Sequence, residues 1–248
     1  MSKTKNLYQS FNSIGVGFFM ACTIGLIAVI WPTSKNTVRQ NSQLQLINET
    51  LSLQVTSLER KGDSIHLVLK NGYMKDITGF QVRVGNVTIQ SEFIGSDEVF
   101  PPGVLYERVH SVQNGIDEKG IAILAVVFDD GSSDGNPKYI NQIKYKRLGE
   151  KTQISHALPF IQKVLDASAV NWADSLKKLK SEIQSLEVKQ SNQFPEDFVL
   201  GLHDRKLQLI RQIETIQSKK LLNVNLNIRD ELMQLKEKHH KQLSKLSN

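Results

Sequence analysis

The chain has 248 residues, of which 40% are hydrophobic and 23% are charged, a composition typical of globular proteins. This composition excludes a wholly disordered chain and a collagen-like repeat. The single cysteine excludes both an intramolecular disulfide framework and a cysteine-rich zinc module.

The net charge of +6 comes from the two ends of the chain. Residues 1–40 hold four basic and no acidic residues, residues 41–151 hold 12 and 14, and residues 152–248 hold 15 and 11. A basic balance favours nucleic acid or an anionic membrane surface as a partner. We expect no nucleic-acid partner, because neither an Arg/aromatic platform nor a glycine-rich basic loop accompanies the charge.

A short basic tail, residues 1–13, precedes an uncharged apolar run over residues 14–31. A helix of this length would span roughly 27 Å, close to the thickness of the hydrocarbon core of a bilayer. Trp31 suits the membrane interface, and Pro32 would end the helix. The sequence therefore predicts a single-pass transmembrane anchor, with the lipid bilayer as its partner.

Three alternatives to this anchor remain open. A cleaved signal peptide would have a shorter apolar core and a small-residue cleavage site, which the exit AVIWPTS lacks. A lipoprotein would carry its lipid on Cys22, but Phe19, Met20 and Ala21 make a poor lipobox. A buried core helix of a soluble protein is disfavoured by the N-terminal position of the run, by the basic residues on both of its flanks and by its lack of a polar face.

The orientation of the anchor is set by few charges. Lys3 and Lys5 precede the apolar run, and Lys35 and Arg39 follow it, so the positive-inside count is tied. The short N-terminal tail and the order of charges before apolar residues match an export signal. We therefore expect the bulk of the chain to be extracytoplasmic.

Residues 32–50 are polar and predict a stalk, and from residue 51 the apolar period becomes two. Seven short runs predict strands over residues 51–55, 65–69, 80–84, 87–93, 104–111, 121–128 and 139–147. Turn residues separate these runs, and the gaps are too short for crossover helices. The sequence predicts an antiparallel, immunoglobulin-like β-sandwich over residues 51–150.

Two segments of this region carry a resemblance. LVLKNGYMKDITGFQV resembles the strand–turn–strand of immunoglobulin-like modules in bacterial envelope proteins, with Asn71 closing one strand and Lys75, Ile77 and Phe80 in the next. AVVFDDGSSDGN resembles a recurring segment of uncharacterised single-anchor bacterial proteins. The resemblance covers about residues 51–150 and implies a sandwich fold and an envelope location, but no activity.

One segment has the spacing of a cation site. Asp130, Ser132 and Asp134, followed by Gly135, copy the first half of a calcium loop, which places oxygen ligands at alternate positions before a sharp turn. Position 12 of such a loop would be Asn141 instead of a bidentate Glu. A polar turn after a buried strand explains the same residues, so both readings of these candidate calcium ligands stay open.

No motif indicates an enzyme. The sequence contains no GxSxG elbow, no GxxxxGK[ST] loop and no GxGxxG after a strand, so we predict no catalytic residues and no cofactor. The histidines show no metal-ligand spacing. His66 and His110 are expected on exposed strand faces, and His239 and His240 on a charged helix surface.

Residues 156–248 change to helical character and predict a helical hairpin, a three-helix bundle or a coiled coil. The expected helices cover residues 159–189, residues 196–220 or beyond, and an amphipathic stretch over residues 232–246, with a break near residues 223–227. A stripe at 3-4-3 spacing predicts an interaction surface, within the chain or between chains: Leu176, Leu179, Ile183 and Leu186. Residues 205–248 hold ten basic and four acidic residues, which predicts either a solvated face or an anionic partner.

Together these patterns predict a non-enzymatic, single-pass envelope protein that acts as a scaffold or protein-interaction module. The helical tail would mediate homo-oligomer formation or partner binding. The alternative is a membrane-tethered recognition module whose sandwich binds glycan or cell-wall polymer with the help of calcium. An anchored enzyme is a third class, and it would need a convergent polar pocket.

Overall fold

The computed structural model describes residues 37–39, 44–94, 99–111, 120–167, 171–186, 194–223 and 225–246. These residues form two compact units, one built on strands and one built on four helices. The predicted anchor over residues 14–31 lies outside the described residues. In the part of the chain that is described, no helix combines the length and the apolar character needed to cross a membrane.

Among the described residues, nine strands form two sheets. The strands are β1 (Thr37–Arg39), β2 (Gln45–Asn48), β3 (Leu53–Lys61), β4 (Ser64–Asn71), β5 (Ile77–Val84), β6 (Val87–Glu92), β7 (Leu105–Ser111), β8 (Ile121–Phe128) and β9 (Ser133–Gly135). The first sheet has the order β1-β2-β8-β5-β6, with β9 paired to β8, and the second has the order β3-β4-β7.

Strand β8 is central in the first sheet, and all eight of its residues are buried. The continuous apolar run IAILAVVF predicted such a strand, because a strand covered on both faces shows no alternation. Strand β8 is parallel to β2, with Leu46 opposite Ile121. The prediction of a purely antiparallel arrangement is therefore wrong at this pair, because β2 lies in the segment that was read as a polar stalk.

The second sheet is antiparallel and alternates as the sequence predicts. Along β4 the buried residues are Ile65, Leu67, Leu69 and Asn71. The two sheets share an apolar core, since the ring of Tyr106 on β7 lies 5.8 Å from that of Phe80 on β5 in a T-shaped arrangement. Such edge-to-face pairs add to the stabilisation that burial already provides.

The four helices are α1 (Pro137–Asp166), α2 (Trp172–Ser185), α3 (Glu196–Leu222) and α4 (Ile228–Lys245). The strand predicted over residues 139–147 is wrong, because this segment forms the first turns of α1. Pro137 suits the first helical position, where no backbone N–H is needed. Ile143 and Ile154 are both fully buried and lie about three helical turns apart, so the apolar period there is helical.

The predicted helix over residues 159–189 is also wrong in its bounds. Pro159 lies inside α1, and α2 begins anew at Trp172 after Asn171, whose side chain accepts the N–H of Ala173 at 3.1 Å. The second predicted helix is confirmed as α3. The break near residues 223–227 is confirmed as well, because Asn227 caps α4 by accepting the N–H of Arg229 at 3.1 Å.

Helices α1 and α3 approach closely at two glycines. A methyl group on Gly149 would lie 2.1 Å from the carbonyl oxygen of Phe198, and one on Gly201 would lie 2.0 Å from that of Lys146. Both distances are far below a carbon–oxygen contact, so only glycine allows this backbone approach. The pair therefore positions α1 against α3.

A polar cluster is buried in the same helical unit. The guanidinium of Arg205 contacts the carboxylate of Glu150 on α1 and donates to Gln242 on α4 at 3.1 Å. His239 is fully buried and lies 2.8 Å from Gln242 and 3.0 Å from Gln212. The expectation of an exposed His239 is wrong, because this side chain faces α3 and not the solvent.

Candidate interaction surface

Five exposed apolar side chains come from three segments that meet at one end of the three-stranded sheet. We call them the apolar loop cluster: Leu51, Tyr73, Met74, Val104 and Leu105, with exposed fractions of 90%, 49%, 90%, 45% and 59%. Backbone hydrogen bonds join the three segments. Gly72 donates to Ser52 at 2.8 Å, and Gly103 donates to Asn71 at 2.7 Å. Exposed apolar side chains brought together in this way are typical of interaction sites.

The buried side chain of Asn71 organises the loop that carries Tyr73 and Met74. Its Nδ2 donates to the carbonyl oxygens of Lys75 and Phe100, both at 2.8 Å. Its Oδ1 accepts the N–H of Tyr73 at 3.0 Å. Both amide protons and the amide oxygen are therefore satisfied, which makes the loop a defined structure. Asn71 is also one of the residues on which the immunoglobulin-like resemblance rests.

The carboxylate of Asp134 organises the segment that carries Leu51. Its Oδ2 accepts the N–H groups of Leu51 at 2.7 Å and Ser52 at 2.8 Å, and the Ser52 hydroxyl at 2.7 Å. Hydrogen bonds to an ionised acceptor are roughly twice as strong as neutral ones. The segment DGSSDGN thus holds the chain in place between β2 and β3.

These contacts bear on the candidate calcium ligands. Asp130 accepts the N–H of Ser132 at 3.0 Å within its own turn, while Asp134 serves Leu51 and Ser52. Over the described ranges, no group of three or more His, Cys, Asp or Glu side chains is arranged to hold a metal ion. The polar-turn explanation accounts for these contacts, and calcium binding stays a prediction.

We expect Asp134→Ala to lower the free energy of unfolding by about 2–3 kcal/mol, because two N–H groups and a hydroxyl lose a charged acceptor. Urea unfolding would measure this loss, and hydrogen exchange should rise at residues 51 and 52. Asp129→Ala is the matched control, since Asp129 is exposed in the turn that precedes β9. Equal stability of the two variants would contradict the role given to Asp134.

A rigid aromatic core lies beneath the apolar loop cluster. Tyr106 follows Leu105 in β7, and its ring lies 5.4 Å from that of Phe100. Phe100 and Phe80 are 1% exposed, so the group is part of the core. Arg108, on the same face of β7, stacks on Tyr106 and donates to Ser91 at 3.0 Å. The loops therefore rest on a fixed base.

The predicted interaction stripe has a different environment. Leu176, Leu179 and Ile183 are at most 1% exposed, and they pack with residues of α1, α3 and α4 in the core of the helical unit. Leu186 is partly buried against the same core. Of the two alternatives that the sequence left open, packing within the chain is the one described here. Contact with another chain through this stripe would require the helices to separate.

Two histidines have pKa values lowered to about 4. Burial is the main cause for both, and the neighbouring Arg108 and Arg205 lower the pKa of His110 and His239 respectively. The expectation of an exposed His110 is wrong, since it pairs across the sheet with the fully buried Ile65. The two ring nitrogens of His239, Nδ1 and Nε2, lie 2.8 and 3.0 Å from the side-chain oxygens of Gln242 and Gln212, and Gln242 also accepts from Arg205.

The pH dependence of stability follows from these shifts. A pKa lowered from 6.5 to about 4 means that, as the pH falls, the histidine takes up its proton in the unfolded state before it does so in the folded state. This contribution to stability is therefore full above pH 6.5 and is lost as the pH drops toward 4. Protonation of each histidine can lower the free energy of unfolding by up to about 3 kcal/mol. Urea midpoints at pH 7.5 and 4.5 would measure the loss. The loss should shrink in His239→Gln, whereas exposed His240→Gln should behave as the parent chain.

The chain has no match among known protein families or among curated proteins.

Sequence reasoning missed the apolar loop cluster. Leu51 was assigned to a strand, and Tyr73 and Met74 received no interpretation of their own within the segment LVLKNGYMKDITGFQV. No periodic pattern marks a surface assembled from three loops. The one available signal was the position of Met74 inside a polar turn, where an apolar side chain has no core to enter.

Proposed function

We propose that this protein is a single-pass, membrane-anchored interaction module of the cell envelope, without enzymatic activity, that binds a partner protein through the apolar loop cluster. The observation that carries the proposal is the exposure of Leu51 and Met74 on loops fixed by Asp134 and Asn71. Loops already held in one conformation lose little entropy on binding, which favours affinity.

The composition of the cluster favours a protein partner over a glycan. Four of its five members are aliphatic or Met side chains, and Met adapts to varied apolar surfaces. Tyr73 is its one aromatic member, whereas stacking on sugar rings would use several. A hydrophobic centre with a polar rim is the usual anatomy of a protein–protein interface.

An immunoglobulin-like sandwich is the fold that we propose for the β unit. Two sheets with a shared apolar core support it, as does the placement of the residues that carry the resemblance. Asn71 ends β4, Ile77 begins β5 and is fully buried, and Phe80 enters the shared core. The parallel pair β2–β8 would be an addition to the purely antiparallel form.

Membrane anchoring and an extracytoplasmic location rest on residues 14–31. We expect a cysteine introduced as Ser247→Cys, in a Cys22→Ser chain, to react with a membrane-impermeant maleimide from outside intact cells. Labelling only after the cells are opened would place the body in the cytoplasm and contradict an envelope location. Extraction of the chain by carbonate at high pH would contradict the anchor itself.

The interaction surface can be tested by photo-crosslinking of the full chain in its own cells. A photoreactive amino acid at position 74 or 105 should give an adduct of the same mass, because both positions face one partner. The matched control is position 233, since Met233 is an exposed methionine of α4. An adduct at twice the mass of the chain would identify a second copy as the partner.

A triple variant supplies the second arm of this test. Tyr73→Ser with Met74→Ser and Leu105→Ser should abolish the adduct formed from position 104. The control Tyr145→Ser with Met233→Ser and Leu148→Ser removes exposed residues of the same types from the helical unit and should leave that adduct unchanged. An adduct from position 104 in both variants would contradict the proposal. The absence of any adduct from positions 74 and 105 in the parent chain would contradict it as well.

A further inference from the structure

A second exposed apolar feature lies at the junction of α3 and α4. These helices are antiparallel, because Gln212 faces His239 and Lys219 pairs with Glu231 at 2.9 Å. Leu221 and Leu222 end α3 with exposed fractions of 85% and 90%. We call Leu221 and Leu222, together with Lys219, Lys220 and Arg229, the hairpin tip.

The two leucines contribute nothing to the core of the helical unit. Helix α3 supplies Leu209, Ile213 and Ile216 to that core, and Ile228 of α4 continues it on the other side of the turn. Leu221 and Leu222 lie beyond these residues, with most of each side chain exposed to solvent. Burial of two adjacent leucines that now face solvent would be favourable, because it would remove their apolar surface from water.

The surroundings of these leucines are basic. Residues 215–229 contain Lys219, Lys220 and Arg229 and no acidic residue. The ammonium group of Lys220 donates to the carbonyl oxygen of Leu226 at 3.0 Å, which fixes the turn while keeping its positive charge at the tip. Glu231 on α4 pairs with Lys219, and Asp230 follows Arg229. Residues 215–231, with three basic and two acidic residues, therefore keep a net charge of +1.

We infer that the hairpin tip inserts Leu221 and Leu222 into the headgroup region of an anionic bilayer. Aliphatic side chains flanked by Lys and Arg match the apolar and anionic layers that such a surface presents in succession. The inference uses the membrane location of the proposed function, but a different surface of the chain.

The test uses the full chain, in which Cys22 is the one cysteine. Cys22→Ser with Leu222→Cys would carry an environment-sensitive NBD label, reconstituted into phosphatidylcholine vesicles with or without phosphatidylglycerol. We expect a blue shift and quenching by brominated lipid in the anionic vesicles. Lys220→Gln should lower the ratio of inserted to free tips about fivefold, the effect of one basic residue near an anionic surface.

The control places the label at His240→Cys, an exposed position of α4 about three helical turns from Arg229, where emission should stay water-like. A label at 222 that stays water-like in anionic vesicles would overturn the inference, as would a blue shift that brominated lipid does not quench, which would indicate a protein contact. Flotation reports the anchor separately. A chain that floats only with anionic vesicles would support insertion of the hairpin tip and contradict the transmembrane anchor. A chain that floats with neither kind of vesicle would contradict both.

Discussion

Gly149→Ala is expected to lower the free energy of unfolding of the helical unit by about 3 kcal/mol, at the upper end of the usual cost of overpacking. The added methyl group would lie 2.1 Å from the carbonyl oxygen of Phe198, so α1 and α3 must move apart. Alanine is the better helix former by about 1 kcal/mol, which offsets only part of this loss. The fluorescence of Trp172, which packs against the helical core, would report unfolding in urea, with Trp31→Phe removing the other tryptophan.

Lys144→Ala provides the comparison, because Lys144 is exposed on the same helix and its replacement leaves the contact with α3 intact. Gly201→Ala should repeat the loss, since its methyl group would meet the carbonyl oxygen of Lys146. A Gly149→Ala chain as stable as the Lys144→Ala chain would show that the two helices do not cross at these glycines.

Glu150→Ala is expected to lower the free energy of unfolding by about 3–5 kcal/mol, the usual cost of leaving a buried charge without its partner. The side chain of Arg205 is 6% exposed, and Glu150 is the carboxylate that contacts it. Gln208 and Gln242 accept hydrogen bonds from its Nη1 at 2.6 and 3.1 Å, but neither carries a charge. Urea unfolding followed by Trp172 fluorescence would measure the effect.

The exposed pair Lys180–Glu214 allows a direct comparison, since its atoms are 2.7 Å apart but its side chains are 30% and 46% exposed. Glu214→Ala should cost less than about 1 kcal/mol. Glu150→Leu combined with Arg205→Met should recover much of the stability that Glu150→Ala removes, because no buried charge then remains. A similar loss in Glu150→Ala and Glu214→Ala would contradict a buried ion pair.

The sequence predicted best those elements that follow one clear period. Alternation predicted β4, the unbroken apolar run predicted β8, and the apolar positions after residue 196 predicted α3. Short segments failed for a physical reason. Residues 139–147 place Ile140 and Ile143 where either a strand or a helix fits, and only their packing decides. Strand β2 has four residues and one buried side chain, so this segment is a strand because it pairs with β8 and not because of a pattern in its sequence.

The candidate site was less accessible to sequence reasoning than the fold. Asn71 and Asp134 were both noticed, one through a resemblance and the other as a calcium ligand. Their observed partners are mostly backbone groups. Every residue has a backbone carbonyl group, and nearly every residue has a backbone N–H group, so a sequence does not show which of them a side chain contacts. Arg205, His239 and Gln242 come from two helices, and His239 was expected on a charged helix surface, because a charged helix pattern does not show which polar side chains find partners inside.

The pairing of β2 with β8 has a consequence for a chain that emerges from its N-terminus onward. Strand β8 fills the gap between β2 and β5, so the first sheet cannot close until residues 121–128 have reached the compartment in which the chain folds. Contacts between distant segments require a long loop to close, and this costs entropy before the contacts stabilise the chain. The step is therefore slow. Until then β2 and β5 present open edges that can pair with other chains. A nascent chain interrupted between residues 94 and 120 should therefore depend on chaperones, whereas one that has passed residue 136 can complete its sheets.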